Sequence, residues 1–127
     1  MPQMFLIFNH TLTENQKKNA KKVFKIEKFL SLPKDLQALW SNVPPDITDL
    51  KNYLKPLISY LKNTIKQEDI ALVQGDFGAT CLIVSYLKSK RVKCVYATTK
   101  RNVIEKKEGD KIIKQAVFEH VQFREYE

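Results

Sequence analysis

The stretch Ile70-Ala-Leu-Val-Gln-Gly-Asp-Phe-Gly-Ala-Thr80 decides the fold of this chain. Its apolar run, residues 70–73, predicts a short buried strand, and residues 74–78 predict a tight turn with two glycines. A helix is expected directly after the turn, because Asp76 is a suitable N-cap residue. A strand, a glycine turn and a helix start direct backbone N–H groups at an anionic ligand. The stretch therefore indicates an α/β fold with a ligand crevice at this strand end.

Strands and helices are also predicted on the N-terminal side of this stretch. Residues 4–8 form a continuous apolar run, typical of a strand buried on both faces. The capping-box pattern Thr13-x-x-Gln16 should open a helix that ends near Phe24. A second strand is expected over residues 25–30, and a helix after Pro33. The apolar residues from 50 to 65 follow helical spacing, with Pro56 kinking the helix or starting a new turn. This apolar stripe is either core or a subunit contact.

The C-terminal third predicts more β-structure. A helix over residues 77–90 and a strand over 92–97 come first. Apolar pairs at 103–104 and 112–113 flank a Glu-Gly-Asp turn, which predicts a hairpin, and residues 117–126 read as a last strand. The order of elements predicts a single α/β domain over residues 1–127, with a mainly parallel sheet and a C-terminal β-hairpin extension.

Composition limits the classes of function. The chain has 127 residues and a formal net charge of +8, concentrated in residues 1–31 and 88–127. A basic protein favours an anionic partner, although a solvated lysine surface explains the charge equally well. No apolar stretch is long enough for a membrane span, and the N-terminus lacks the basic region of a signal peptide. We therefore expect a cytoplasmic protein without a membrane partner.

The two cysteines, Cys81 and Cys94, lie within apolar runs and outside any CxxC or Cys/His cluster. They predict two reduced, buried thiols, as is usual in the cytosol. The two histidines and the scattered carboxylates have no metal-ligand spacing, and no G-x-S-x-G motif is present. We expect neither a metal nor a cofactor.

Polar residues follow three of the predicted strands, and the carboxyl ends of parallel strands meet at one edge of a sheet. These residues are Asn9-His10, Gln74-Gly75-Asp76 and Thr98-Thr99-Lys100-Arg101. Gly75 and Gly78 permit a ligand to approach the backbone closely, although the turn lacks the spacing of GxxxxGK[ST] or GxGxxG. Two alternatives remain open. Asp76 can act simply as a helix cap, and His10 as a hydrogen-bonded structural residue.

The last predicted strand has a strong alternation. Strict alternation places Phe118, His120, Gln122, Arg124 and Tyr126 on one face. On that face, His120 can act as an acid or a base near neutral pH, and Arg124 can make a bidentate phosphate contact. The alternative is an edge strand that faces solvent.

Three segments together resemble a known family. They are residues 73–80, the segment VYATTKR at 95–101 and the segment FEHVQFREY at 118–126. They are similar to the small CRISPR-associated Csx proteins of type III systems, which are ring nucleases related to the CRISPR-associated Rossmann fold. The resemblance covers nearly the whole chain and is most specific in the last two segments.

The resemblance implies an enzyme that binds cyclic oligoadenylate, with cyclic tetra-adenylate as the expected ligand, and linearises it without a metal. A ribose 2′-OH would attack the adjacent phosphate and leave a 2′,3′-cyclic phosphate. The resemblance also implies a homodimer with the ligand across its two-fold axis, and no DNA partner. A binding module that does not cut the ligand, and a general RNA-binding protein, are the alternatives.

Carried onto this chain, the resemblance assigns roles to the candidate residues. His120 or His10 would move the protons, and Arg124 would face phosphates. The ligand would be bound by Asn9, Gln74, Gly75, Asp76, Phe77, Gly78, Thr98, Thr99 and Arg101.

Overall fold

A computed structural model describes residues 2–127, which form one five-stranded sheet flanked by five helices. The strands are β1 (Gln3–Ile7), β2 (Lys28–Ser31), β3 (Ile70–Val73), β4 (Lys93–Glu108) and β5 (Lys111–Glu125). The helices are α1 (Glu14–Phe24), α2 (Lys34–Ser41), α3 (Leu50–Tyr53), α4 (Lys55–Thr64) and α5 (Phe77–Ser89). None of these helices is both long and apolar enough to cross a membrane.

The sheet has the strand order β2-β1-β3-β4-β5. Strands β1 to β4 pair in parallel, and β5 pairs antiparallel with β4. The prediction of a mixed α/β fold, mostly parallel and with a C-terminal hairpin, is confirmed. Strand β1 has β2 on one side and β3 on the other, so the direction in which the sheet grows reverses between β1 and β3. Such a switch point leaves a crevice outside the carboxyl ends of the two strands.

Local sequence signals set the helix boundaries. The Thr13 hydroxyl accepts a hydrogen bond from the Gln16 amide at 3.2 Å, and the Gln16 side chain accepts one from the Thr13 amide at 2.9 Å. This is the predicted capping box at the start of α1. Pro56 lies in the first turn of α4 and separates it from α3, because proline is tolerated only where no intrahelical N–H bond is needed.

The sheet is covered on both faces. Helix α1 packs on one face, where Ala20 joins a cluster with Met4 and Phe123. Helices α2 to α5 pack on the other face. There, Leu54, Leu57 and Leu61 are fully buried. These three leucines of the predicted apolar stripe, residues 50–65, therefore belong to the core, as one of the two alternatives predicted.

Strands β4 and β5 form one long hairpin. They stay paired from Val95 and Glu125 out to Glu108 and Lys111, whereas β3 pairs with β4 only as far as Val95. The prediction that this strand ends at Ala97 is wrong, because β5 continues to satisfy its backbone groups after β3 has ended. We call residues 99–121 the arm. All but three of its side chains are exposed, the exceptions being Asn102, Val117 and His120.

The cysteines differ in environment. Cys94 lies in the core between the sheet and α5, and burial raises the pKa of its thiol to about 12. Cys81 is exposed on α5. The prediction of two buried thiols is thus wrong for Cys81, because the apolar run that contains it winds as a helix and exposes one side.

We predict that a thiol reagent distinguishes the two cysteines. At about pH 8 only about one Cys94 in ten thousand would be a thiolate, so Ellman's reagent should label one thiol in the folded protein and two in urea. The variant Cys81→Ser should show no fast labelling when folded. Rapid labelling of both thiols in the folded wild type would contradict the burial of Cys94.

Candidate functional site

A crevice of about 440 Å³ opens outside the carboxyl ends of β1 and β3. It lies at the switch point of the sheet, where α/β folds bind their ligands. Four of the candidate residues line it: His10, Gln74, Thr99 and His120. The rest of its lining comes from the β1–α1 loop, the start of α1 and the hairpin, namely Phe8, Thr11, Thr13, Asn15, Gln16, Ala97, Phe118 and Glu119.

Gln74 holds the elements around the crevice together. Its amide donates to the carbonyl of Ile7 at 2.9 Å, and its carbonyl accepts from the Trp40 indole at 3.1 Å. Its side-chain oxygen accepts from the Ala97 amide at 2.9 Å. These three bonds join the ends of β1 and β3 to helix α2 and strand β4. Gln74 therefore builds the crevice as well as lining it.

His120 is held in place from two sides. Its Nε2 lies 2.9 Å from Oδ1 of Asn19 on α1, and its ring packs on Phe123 with 4.8 Å between the ring centroids. With an oxygen facing Nε2, that nitrogen carries the proton and Nδ1 carries the lone pair. Nδ1 is buried and has no hydrogen-bond partner among residues 2–127. Burial lowers the pKa of His120, so the ring is neutral at pH 7.

The alternation predicted for β5 is interrupted by a bulge. Thr98 pairs with Gln122 and Thr99 with His120, so Val121 has no partner on β4. An extra residue of this kind reverses which face the following side chains occupy. His120 and Phe123 consequently lie together on the α1 face. The predicted grouping of His120 with Gln122 and Arg124 on one face is wrong.

Arg124 lies on the opposite face of the sheet. Its guanidinium is 5.6 Å from the centroid of the Tyr96 ring, and its Nη1 donates to the Tyr96 hydroxyl at 3.1 Å. Thr98 is also occupied by the hairpin, because its hydroxyl donates to the carbonyl of Gln122 at 3.1 Å. Neither residue lines the crevice.

The glycine turn after β3 is shaped by packing. A Cβ at position 75 would lie 2.8 Å from the ring of Trp40, and one at position 78 would lie 2.7 Å from Leu50. At both positions the absence of a Cβ makes room for a neighbouring side chain of this protein. The sequence had predicted that the room is for a ligand. Asp76 caps α5 by accepting from the Ala79 amide at 3.0 Å, as the alternative interpretation predicted. Phe77 is 94% exposed, and residues 75–78 do not line the crevice.

The loop after β1 separates two cavities. His10 is exposed and lines the crevice, with an edge contact to Phe8 at 6.3 Å between ring centroids. Asn9 faces α2, where its side-chain oxygen accepts from the Ser41 hydroxyl at 2.8 Å. It lines a second, more open cavity of about 660 Å³ beside the first. His10 thus lines both cavities, whereas Asn9 lines only the second.

Across the part of the chain that the structure describes, the crevice lacks the basic lining that Arg101 and Arg124 were predicted to give it. Among residues 2–127, no lysine or arginine lines it, and Glu119 does. Its electropositive feature is the N-terminus of α1, because Thr13, Asn15 and Gln16 line it and a helix N-terminus attracts anions. Arg101 is exposed on β4 beyond the crevice, paired with Phe118. Residues 2–127 hold no group of three or more His, Cys, Asp or Glu side chains placed for a metal ion.

Sequence reasoning missed two contributors to the site. Asn19 orients His120 from α1, and the first turn of α1 forms one wall of the crevice. The capping box at Thr13 located that helix start correctly, and it follows β1 by a few residues. A helix that starts soon after a strand places its N-terminus at the carboxyl end of the strand, which is the signal that could have revealed this wall.

We predict that Gly75→Ala destabilises the protein by about 1–3 kcal/mol, because its methyl group would be forced against Trp40. Urea denaturation followed by tryptophan fluorescence measures the change. An exposed substitution on α5, Ser85→Ala, should change the free energy of unfolding by less than about 0.5 kcal/mol. If both variants matched the wild type, close packing on Trp40 would not be the reason for the glycine.

We predict that His120 makes stability depend on pH in a definite direction. Its pKa is lowered in the folded protein from the ordinary value of 6.5. As the pH falls through 6.5, the unfolded chain therefore binds a proton before the folded protein does, and the free energy of unfolding decreases. The difference in stability between the wild type and His120→Gln should be largest above about pH 7 and should shrink toward about pH 5. A difference that is constant or grows on acidification would contradict this.

Comparison with known proteins places the chain in a family. A family model described as "Uncharacterized protein MJ1673 family" matches residues 2–124. The chain is 46% identical over 126 residues to "Uncharacterized protein MJ1673" of Methanocaldococcus jannaschii, and the match covers 99% of this chain and 98% of that protein. No solved structure matches the chain. The chain belongs to the Uncharacterized protein MJ1673 family.

Proposed function

We propose that this protein is a ring nuclease, which binds cyclic oligoadenylate in the crevice and opens the ring, ending type III CRISPR signalling. One observation carries the proposal: the two histidines of the chain, 110 positions apart in sequence, line one crevice at the switch point of the sheet. Two imidazoles in one crevice can supply the base and the acid that transfer of a phosphoryl group to a neighbouring 2′-oxygen requires.

His120 suits the role of the base. Its lowered pKa keeps it neutral at pH 7, and Asn19 fixes the ring so that Nδ1 holds the lone pair. A base oriented by a third group is the usual arrangement of proton-transfer sites. Because Nδ1 is buried, the proposal requires the ring to turn when the ligand binds, so that Nδ1 faces a ribose 2′-OH. Nδ1 would take the 2′-OH proton as the 2′-oxygen bonds to phosphorus.

His10 suits the role of the acid. It is exposed at the end of β1, on the side of the crevice that the β1–α1 loop forms. It would give a proton to the 5′-oxygen as the bond from phosphorus to that oxygen breaks. The products would be a 2′,3′-cyclic phosphate and a free 5′-OH. No step in this sequence requires a metal ion.

Uncharged donors would stabilise the phosphoryl oxygens. The start of α1 offers backbone N–H groups and a positive dipole end, and Thr99 lines the same space. Arg101, on the exposed hairpin beyond the crevice, could pair with a neighbouring phosphate of the ring. Arg124 has no part in this proposal, because it lies on the other face of the sheet.

The crevice size and the fold suit this ligand. A volume of about 440 Å³ is within the range of small-molecule pockets and holds one nucleotide and its scissile linkage. The rest of the ring would lie across the open mouth. The strand order β2-β1-β3-β4-β5 with helices on both faces supports a Rossmann-like fold. A cytoplasmic homodimer is part of the proposal.

One observation favours a second candidate, a module that binds the ring without cutting it. His120 is engaged by Asn19 and Phe123, which is also how a histidine that only joins α1 to β5 would be held. Such a protein would sequester the messenger in the same crevice. Cleavage separates the two candidates directly.

We predict that the purified protein converts cyclic oligoadenylate into linear products ending in a 2′,3′-cyclic phosphate. The assay uses cyclic tri-, tetra- and hexa-adenylate in EDTA, with products separated by chromatography. His10→Gln and His120→Gln should each slow cleavage by about 100-fold to 10,000-fold, since each would remove a proton-transfer group. Lys62→Gln, on the exposed side of α4, is the control and should cleave at the wild-type rate.

The outcomes of these assays distinguish the candidate functions. Binding of the ring without cleavage by excess protein over hours would support the sequestering module. Cleavage that survives the double histidine variant would contradict the assigned roles of the histidines. Equal affinity for linear RNA, with a steep dependence on salt, would favour a general RNA-binding protein.

A further inference from the structure

The arm exposes an unusual amount of apolar surface. Of the nine large hydrophobic side chains exposed in residues 2–127, six lie in the arm. They are Val103, Ile104, Ile112, Ile113, Phe118 and Val121. A two-stranded ribbon is marginally stable in water unless it packs against something else. Within residues 2–127, only the base of the arm does so, at His120 beside α1.

The outer edge of β5 is a free strand edge. Strand β5 is the last strand of the sheet and pairs only with β4. Its backbone N–H and C=O groups on the outer side are available to another strand, and proteins usually cover or break such an edge. Here residues 111–119 contain no proline or glycine that would break it.

We infer that the β5 edge of the arm pairs with the β5 edge of a second copy of this chain, antiparallel, with the two-fold axis at Gln115. The sequence Lys-Ile-Ile-Lys-Gln-Ala-Val-Phe-Glu over residues 111–119 is complementary to itself in this register. The opposed pairs are Lys111 with Glu119, Ile112 with Phe118, Ile113 with Val117 and Lys114 with Ala116, each occurring twice.

The faces of the arm agree with this register. In an antiparallel pair, residues that oppose each other must lie on the same face of the sheet. Within the chain, Ile112 pairs with Lys107, and Phe118 pairs with Arg101. Ile112 and Phe118 are an even number of residues apart on β5, and their two partners are an even number apart on β4. Ile112 and Phe118 thus share one face, and Ile113 and Val117 share the other. The dimer would join apolar pairs on both faces and place an ion pair at each end.

Neighbouring registers are less favourable. An axis at Lys114 would oppose Lys111 to Val117, and an axis at Ala116 would oppose Ile113 to Glu119.

The free edge of β4 is less suited to pairing with itself. An axis at Val103 would oppose Lys100 to Lys106, and like charges in direct opposition destabilise a sheet. Charge and hydropathy therefore select β5 with its axis at Gln115.

This inference does not rest on the proposed activity, but the two surfaces adjoin, because Phe118 and Glu119 line the crevice and also oppose residues of the second copy. His120 is five residues from Gln115, which places the two copies of His120 about 34 Å apart along the paired strands. This pairing differs from the dimer that the resemblance implies, because no ligand would lie across its two-fold axis and each crevice would bind its own. The sheets of the two copies would join into one sheet of ten strands.

Charge reversal tests the inference. Sedimentation of the wild type at about 10–100 μM should show a dimer. Glu119→Lys alone, or Lys111→Glu alone, should raise the dimer dissociation constant at least about tenfold, because each creates two like-charge pairs. The double variant Lys111→Glu with Glu119→Lys should return it to within about threefold of the wild type.

The double variant also tests whether the single variants act within one hairpin and not between two copies. Lys111 pairs with Glu108 and Glu119 with Lys100 inside each hairpin, so the double variant makes both of these pairs repulsive. If it dimerised least of all, or if the wild type were monomeric throughout, the inference would be overturned. So would an arm protected from hydrogen exchange only when RNA is added, which would assign the arm to nucleic acid.

Two isoleucines of the arm give a matched pair of variants. Ile113 on β5 and Ile104 on β4 are both 45% exposed. Ile113→Lys should weaken the dimer by more than about tenfold, and Ile104→Lys by less than about threefold, because only Ile113 lies on the paired edge. Equal effects of the two variants would contradict the assignment of the interface to β5.

Discussion

The arrangement of this protein depends on the backbone groups left open where β3 ends. Strands β1 and β4 flank β3, and their neighbouring N–H and C=O groups need partners at the switch point. Gln74 supplies two of those partners, because its amide donates to the Ile7 carbonyl and its side-chain oxygen accepts from the Ala97 amide. Its own carbonyl accepts from the Trp40 indole. It brings the first and fourth strands to a fixed separation and seats Trp40 beneath the turn. The crevice and the shape of the glycine turn both follow from this junction.

The crevice obtains its electrostatic character from dipoles and from the direction of hydrogen bonds. The lysines of this basic chain do not line it, and the start of α1 does. Preorganised N–H groups act on developing charge without carrying a full charge that must be desolvated. A site of this kind would select a ligand by the positions of its hydrogen-bonding groups more than by its total charge. The basic charge elsewhere on the chain would serve to attract an anion toward the surface.

Local signals in the sequence predicted most of the fold. The capping box at Thr13, the position of Pro56 and the hydrophobic runs each act over a few residues, and the structure confirms them. The candidate site was predicted only in part. His10, Gln74, Thr99 and His120 come together, whereas Asn9, Thr98, Arg124 and the turn residues do not line the crevice.

The errors have physical causes that periodicity does not reveal. Alternation assumes an unbroken pleat, and the bulge at Val121 reverses the face of every residue beyond it. The end of β4 was misplaced because a strand continues for as long as any partner satisfies its backbone. Gly75 was predicted to make room for a ligand, because a glycine indicates that space is needed at its position. The sequence does not show which group fills that space. The ring of Trp40 fills it, from helix α2, which lies much earlier in the chain.

The length of the hairpin bears on how the chain reaches its native state. Strands β4 and β5 are adjacent in sequence, and such a ribbon closes in about 1–10 μs. The pairing of β1 with β3 joins Met4 to Ile70 and must close a much longer loop. We expect the ribbon to form early, before the parallel strands assemble beside it. During that interval the segment of β4 that later pairs with β3, Lys93 to Val95, would be open to other nascent chains. The rate at which β3 closes onto it would therefore affect how much of the protein aggregates while folding at high concentration.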